Sequence, residues 1–424
     1  MFSGIKSVLA IFVIPCAALA IVLAWRFHGH QRVPASQERA AASIPPRVLA
    51  PAGALIEDYI GPNECVACHT NICAKQGKSH MANALHSVEE WQREKGNLPA
   101  GRISDTVNNI QYEIFAQGEG LVLKATRGDT SIEAPMHFVL GSGANGLSFV
   151  RETDTDFQEL RVAFFPKNQT WDFSPGHRAT LPRNADEMIG TRRPKDSSAA
   201  CLSCHSTLLV EKQGRVDLEL SVLGVTCERC HGPGRGHVEA ARRGEYVAPL
   251  HPELEKWLDQ AREASDNPRG LASARQMRLC GQCHGGDRFD TDDLLLAEYT
   301  VTALQQSRCF TESSGRLRCT DCHDPHSNAQ RGDHTRYVET CNKCHGSPTA
   351  TASKGGAASV NDETSPAALP VSASGSTCRV NPGGDCITCH MPRRQPIDRG
   401  FFTHHRIGMH PAVNVEVFGK QPPP

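Results

Sequence analysis

The chain has 424 residues, a formal charge of −1, 39% hydrophobic and 6% aromatic residues. Its length corresponds to roughly two or three domains, and its near-neutral balance, without a long basic run, argues against nucleic acid as a partner. The composition excludes disorder, collagen and coiled coil. Five Tyr, four Trp and fifteen Phe make a thin aromatic core for such a length, whereas 18 cysteines and 20 histidines are far in excess of ordinary usage.

At the N-terminus, Val8 to Trp25 form an apolar run broken by Pro15 and bounded by Lys6 and Arg26. It would reach about 27 Å as a helix, enough to cross a bilayer core. Ala18-Leu19-Ala20 offers a cleavage site for a signal peptide as the alternative. The apolar run continues through Ile21 to Trp25, which favours an uncleaved transmembrane helix within residues 1–30. Residues 31–58, rich in Ala, Pro and Arg, read as a tether. The first C-x-x-C-H, Cys65-Cys68-His69, follows, and Ser79 to Trp91 is patterned as a helix. From 101 to 175 the apolar period changes to two: Ile110–Phe115, Leu121–Thr126 and Leu160–Phe165 predict strands of a small β insertion, with a turn at Gly118-Glu119-Gly120. Gly141-Ser142-Gly143-Ala144-Asn145-Gly146 matches a dinucleotide fingerprint but lacks its βαβ setting, and reads as a turn.

Six further copies of C-x-x-C-H occupy 201–390, mostly on predicted short helices and loops, beside an amphipathic helix near Glu253–Ser265. Residues 346–377 are a low-complexity loop, and 411–424 a tail. The copies are Cys201-Cys204-His205, Cys227-Cys230-His231, Cys280-Cys283-His284, Cys319-Cys322-His323, Cys341-Cys344-His345 and Cys386-Cys389-His390. Chance would supply roughly 0.04 copies in this chain. Two thiols at this spacing add to the two vinyl groups of one haem, and the next residue places its imidazole under the iron as the proximal ligand. Paired zinc knuckles do not require that histidine. The cofactor expected is therefore haem c, seven per chain and covalently bound, held through the fourteen cysteines and His69, His205, His231, His284, His323, His345 and His390.

Stacked haems would also supply the missing apolar bulk, so the expected fold is mainly α with extensive loops, organised around haems over residues 59–410. Two propionates per haem make the loaded protein about seven charges more negative, which suggests redox partner proteins with a basic docking patch. Thioether attachment takes place outside the cytoplasm, so the expected location is the periplasmic side of the cytoplasmic membrane, anchored by the N-terminal helix, or the periplasm if that segment is cleaved.

A six-coordinate haem needs a second axial ligand. His80, His137, His237, His326 and His405 have the contexts expected of distal ligands: His237 follows the bend Gly232-Pro233-Gly234, and His326 closes Asp324-Pro325-His326. His86, His177 and His410 are evenly balanced, while His251, His334 and His404 read as surface or packed residues. Of the cysteines outside the motifs, Cys16 lies in the apolar run. Cys309 and Cys378 are expected to form a disulfide, which leaves Cys73 single.

Cys227-Glu-Arg-Cys-His-Gly-Pro-Gly-Arg-Gly-His237, Cys319-Thr-Asp-Cys-His-Asp-Pro-His326 and Cys386-Ile-Thr-Cys-His-Met-Pro392 resemble the cytochrome c-554 family of multihaem cytochromes. So do Gly141-Ser-Gly143 after His137 and the closing Phe402-Thr-His-His-Arg-Ile407. The resemblance spans roughly residues 60 to 410. It implies electron transfer, a relation to hydroxylamine oxidoreductase-like cytochromes, and distal ligands at His80, His137, His237, His326 and His405. The chain departs from the family's best-known member, which has four haems, and it lacks the tetratricopeptide repeats of longer relatives. Two functions follow as expectations. One is a membrane-tethered electron carrier without a catalytic residue. The alternative is a multihaem oxidoreductase acting on a small nitrogen or sulfur compound at one open haem; no C-x-x-C-K of the nitrite-reductase kind occurs.

Overall fold

The computed structural model describes residues 47–49, 55–194, 202–245, 268–285, 296–313, 316–345, 384–397 and 400–410. The apolar run Val8–Trp25, the helix expected near Glu253–Ser265, the loop 346–377 and the tail lie outside them. Among the described residues no helix is long and apolar enough to cross a membrane. The expected transmembrane anchor, and the membrane-anchored location drawn from it, are corrected on that finding.

Strand β1 (Arg47–Leu49) precedes α1 (Pro62–Gln76), β2 (Leu85–Ser87) and α2 (Val88–Lys95). Of the single helix expected over Ser79–Trp91 only the part from Val88 is helical, since residues 79–84 form turns and 85–87 a strand. Ser87 accepts the Glu90 N–H at 3.1 Å and caps α2, while Leu85-His86-Ser87 is left extended and pairs antiparallel with Phe138–Leu140. Then come β3 (Gly101–Asp105), β4 (Ile110–Gln117), β5 (Gly120–Arg127), β6 (Thr130–Met136), β7 (Phe138–Leu140), β8 (Leu147–Glu152), β9 (Asp156–Phe165) and β10 (Thr170–Phe173). Helix α3 (Ala185–Ile189), β11 (Gly190–Pro194), β12 (Ser206–Lys212), β13 (Arg215–Val216) and β14 (Val222–Leu223) follow.

Strands β3 to β6 form a four-stranded antiparallel meander, and β10-β9-β8-β7-β2 a second sheet. Strands β10 and β11 pair with successive halves of β9, Val162–Phe165 and Asp156–Leu160. The two sheets enclose one core. On β4 the alternating Ile110, Tyr112 and Ile114 are buried; they meet Leu121 and Leu123 of β5, Leu160 and Val162 of β9, and Trp171. The second sheet is apolar on its other face as well, where Leu85, Phe138, Val150 and Phe157 pack against Leu202 and Leu209. Leu202 belongs to the second C-x-x-C-H, so the β unit is the floor on which the motif region starts.

The remaining helices are α4 (Cys227–His231), α5 (Arg235–Arg242), α6 (Pro268–His284), α7 (Thr300–Gln305), α8 (Arg308–Glu312), α9 (Cys319–Cys322), α10 (Thr335–His345) and α11 (Cys386–His390), followed by the hairpin β15 (Arg393–Ile397) and β16 (Gly400–Thr403). The expected mainly α architecture with a small β insertion at 101–175 is corrected: strands run from residue 85 to 223 in several sheets. The physical reason is that α4, α9 and α11 are stubs of one turn or little more, while β2, β11 and β12 extend the sheets beyond the alternating stretch.

Candidate functional site

Each described C-x-x-C-H motif sits on or beside a helical turn. That turn brings residues i and i+3 to one side, the arrangement two thioether bonds to one porphyrin require. In α1 the helix loses regular geometry at His69, with φ −113° and ψ 38°. Helix α4 stops at Gly232, whose φ of 80° is natural only for glycine. The fourth and sixth motifs end α6 and α10. In the second, Cys201 lies outside the described residues; Leu202 is buried and His205 donates from Nδ1 to the Ala84 carbonyl at 3.1 Å.

The motifs make one spatial succession, stitched by side chains. Glu228 of α4 accepts the Ile60 and Gly61 N–H groups at 3.0 and 2.9 Å, joining the third motif to the start of α1. Arg229 approaches Cys283 Sγ at 3.9 Å, joining the third to the fourth. Gln276 of α6 bonds Thr320 Oγ1 at 2.8 Å and the Thr320 N–H at 3.2 Å, joining the fourth to the fifth. Thr340 donates to the Asp321 carbonyl at 3.1 Å, joining the fifth to the sixth. Asp385, which caps α11, meets His334 Nδ1 at 2.6 Å beside the start of α10. The second motif joins at the fourth, Cys204 Sγ lying 3.7 Å from the Gln282 carbonyl. Cys204 and Cys283 share a hydrogen bond that pushes the first thiol up and pulls the second down.

Three imidazole pairs face each other. The centroids of His69 and His237 are 6.3 Å apart with planes at 30°, those of His231 and His326 6.2 Å at 3°, and those of His323 and His405 6.2 Å at 39°. Imidazoles bound to one metal from opposite sides, with metal–nitrogen bonds of roughly 2 Å, put their centroids about 6 Å apart. The donor set and spacing fit haem iron. Burial lowers the pKa of His231, His284 and His323, and pushes His405 down to about 4, which keeps these rings in the neutral form that ligates metal. His405 directs Nδ1 at the Thr403 carbonyl at 2.8 Å, and His326 lies 3.4 Å from the Asp324 carboxylate, so each keeps Nε2 free.

The other candidates stand apart from these pairs. His80 is 2.9 Å from Ser142 Oγ in the Gly141–Gly146 turn, where Gly141 and Gly143 have φ of 104° and 80°. His137 accepts the Glu152 N–H through Nδ1 at 2.9 Å. His86 is buried against Trp91 and 3.4 Å from Glu90; His177 is buried 3.8 Å from Glu159; His404 and His410 lie 4.6 Å apart. His390 meets the Gly408 carbonyl at 3.1 Å, and His345 is exposed at the end of α10. His251 and Cys378 lie outside the described residues, and so does any Cys309–Cys378 bridge. Cys73 stays on α1. Sequence reasoning missed Glu228, Gln276 and Asp385, since nothing at an x position or a helix cap marks a residue as the link between two motifs.

Residues 167–232 match the family described as cytochrome c554 and c-prime, and this segment holds the second and third motifs. The chain is a multihaem c-type cytochrome. Proteins of this kind hold haem c covalently and transfer electrons. A solved structure similar to this cytochrome, that of the outer cell wall cytochrome OcwA, has a TM-score of 0.42 and 16% identity over 82% of this chain and 80% of that one. No curated protein matches it.

Proposed function

We propose that this cytochrome is a seven-haem electron carrier that passes electrons between redox partner proteins along haems held mostly by histidine on both faces. The observation that carries the reading is the set of three imidazole pairs at 6.2–6.3 Å. Haem iron supplies one-electron redox chemistry when bound. The chain's own residues do the rest. The paired cysteines would hold each haem, and where two imidazoles face each other they would hold the iron between them, which favours outer-sphere transfer over substrate binding at those haems. The succession of motifs through Glu228, Arg229, Gln276, Thr340 and Asp385 supports a continuous line from the first motif to the seventh. A partner presenting a basic patch suits the negative charge the propionates would add.

Two measurements test this. A pyridine haemochrome assay of the purified protein is expected to return seven haems per chain, and four or fewer would reject the count. Low-temperature EPR of the oxidised protein is expected to be dominated by low-spin ferric signals. A spectrum dominated by high-spin iron would overturn the carrier reading in favour of open, substrate-binding haems.

A further inference from the structure

We infer that Glu228 is a positioning residue that sets the His69–His237 pair; the inference rests on the reading that these imidazoles ligate one haem. Glu228 fills an x position of the third motif, yet it is 2% exposed. Its carboxylate accepts three backbone N–H groups: Ile60 and Gly234 on Oε1 at 3.0 and 2.8 Å, and Gly61 on Oε2 at 2.9 Å. Gly61 is the N-cap of α1, which carries His69, and Gly234 is the N-cap of α5, which carries His237. One side chain thus fastens the starts of both helices whose imidazoles face each other, from a third helix that carries His231.

The junction is tight. Neither N-cap has a side-chain hydrogen bond of its own, and a Cβ on Gly234 would stand 3.0 Å from Ile60 Cδ1 and 3.3 Å from Glu228 Oε1. A buried carboxylate tolerates loss of solvent when several N–H donors replace it, and such charge-assisted bonds are about twice as strong as neutral ones. Glutamine keeps the shape but offers an NH₂ where Oε2 accepts from Gly61, so two donors would confront each other. The Gly61 or Gly234 anchor would then release, and the 6.3 Å separation of His69 and His237 would no longer be held.

The test is Glu228→Gln in the holoprotein, read by low-temperature EPR against haem content. The expected result is an unchanged haem count with one haem per chain passing from low to high spin, while the other signals stay as in the parent. His237→Ala is expected to give the same new signal, and the double variant no more than either single one, because both act on one pair. Should E228Q yield too little protein, Glu228→Asp, which shortens the reach by one methylene, is expected to give the same signal at smaller amplitude. A parent-like spectrum for E228Q or E228D, with H237A altered, would overturn the positioning role and leave the ligand assignment standing. A parent-like spectrum for H237A would overturn both.

Discussion

An imidazole offers a metal one nitrogen, and the hydrogen bond at the other nitrogen decides which one is available. His405 faces the Thr403 carbonyl with Nδ1, and His205 and His390 face the Ala84 and Gly408 carbonyls in the same way. A carbonyl only accepts, so the ring proton sits on Nδ1 and the Nε2 lone pair is left for iron. His137 has the opposite arrangement: its Nδ1 accepts the Glu152 N–H, which puts the proton of the neutral ring on Nε2. His404 likewise accepts the Arg406 N–H through Nδ1 at 3.1 Å. The two cases separate experimentally. His405→Ala is expected to turn one low-spin haem high-spin, and so is His326→Ala. His137→Ala is expected to leave the EPR spectrum as it was; a new high-spin signal there would restore His137 as a ligand against the hydrogen bond observed.

At the scale of the element, β9 shows how buried polar and apolar residues share a scaffold strand. Its sequence Asp-Phe-Gln-Glu-Leu-Arg-Val-Ala-Phe-Phe is almost wholly buried, although it includes Arg161 and Gln158. Arg161, 2% exposed, donates to Thr180 Oγ1 at 2.6 Å and the His177 carbonyl at 2.9 Å, and stands 3.7 Å from the buried Asp105 carboxylate. Removing one partner of a buried pair leaves a charge without compensation, at a cost of about 3–5 kcal/mol. Arg161→Ala is therefore expected to lower the thermal midpoint of the β unit by many degrees, followed by far-UV circular dichroism, with haem absorption little changed at room temperature; an unshifted midpoint would show the pair to be dispensable. Such interior polar residues also explain which strands were legible. Strand β4 alternates cleanly because one face is buried and the other open, so period two was visible at Ile110, Tyr112 and Ile114. Strand β11, Gly190-Thr-Arg-Arg-Pro, is a polar edge with no apolar period at all, and β2 borrows its strand character from pairing with β7. The motif residues were legible because thioether spacing is local. The facing of His69 with His237, or of His323 with His405, is made by packing between distant segments, and no local pattern encodes it.

For the whole molecule, the question is what holds the motif region together. The β unit has an ordinary core, with Tyr112, Phe149, Phe157 and Leu160 fully buried. Helices α9, α10 and α11 have no fully buried residue at all. Among the described residues they are joined by the packing of Cys319 on the cluster of Met277, Val301 and Leu304, and by part-exposed hydrogen bonds such as Thr340 to Asp321 and His334 to Asp385, each worth about 1 kcal/mol net. That is far below the conformational entropy of fixing such a stretch, at roughly 1–2 kcal/mol per residue. Bound haem would meet that deficit, and its binding energy would become folding energy for this part of the chain. The consequence is a split in behaviour. In protein produced without haem attachment, for example with all motif cysteines changed to serine, residues 85–223 are expected to keep a cooperative melt and resist trypsin. Residues 316–345 and 384–410 are expected to be cut early, at Arg336, Lys343 and Arg393 among other sites. Mass mapping of the fragments decides it. Protection of the 316–410 region in the haem-free chain would mean that side-chain packing suffices there, and the macrocycles would lose their place as the core of this half.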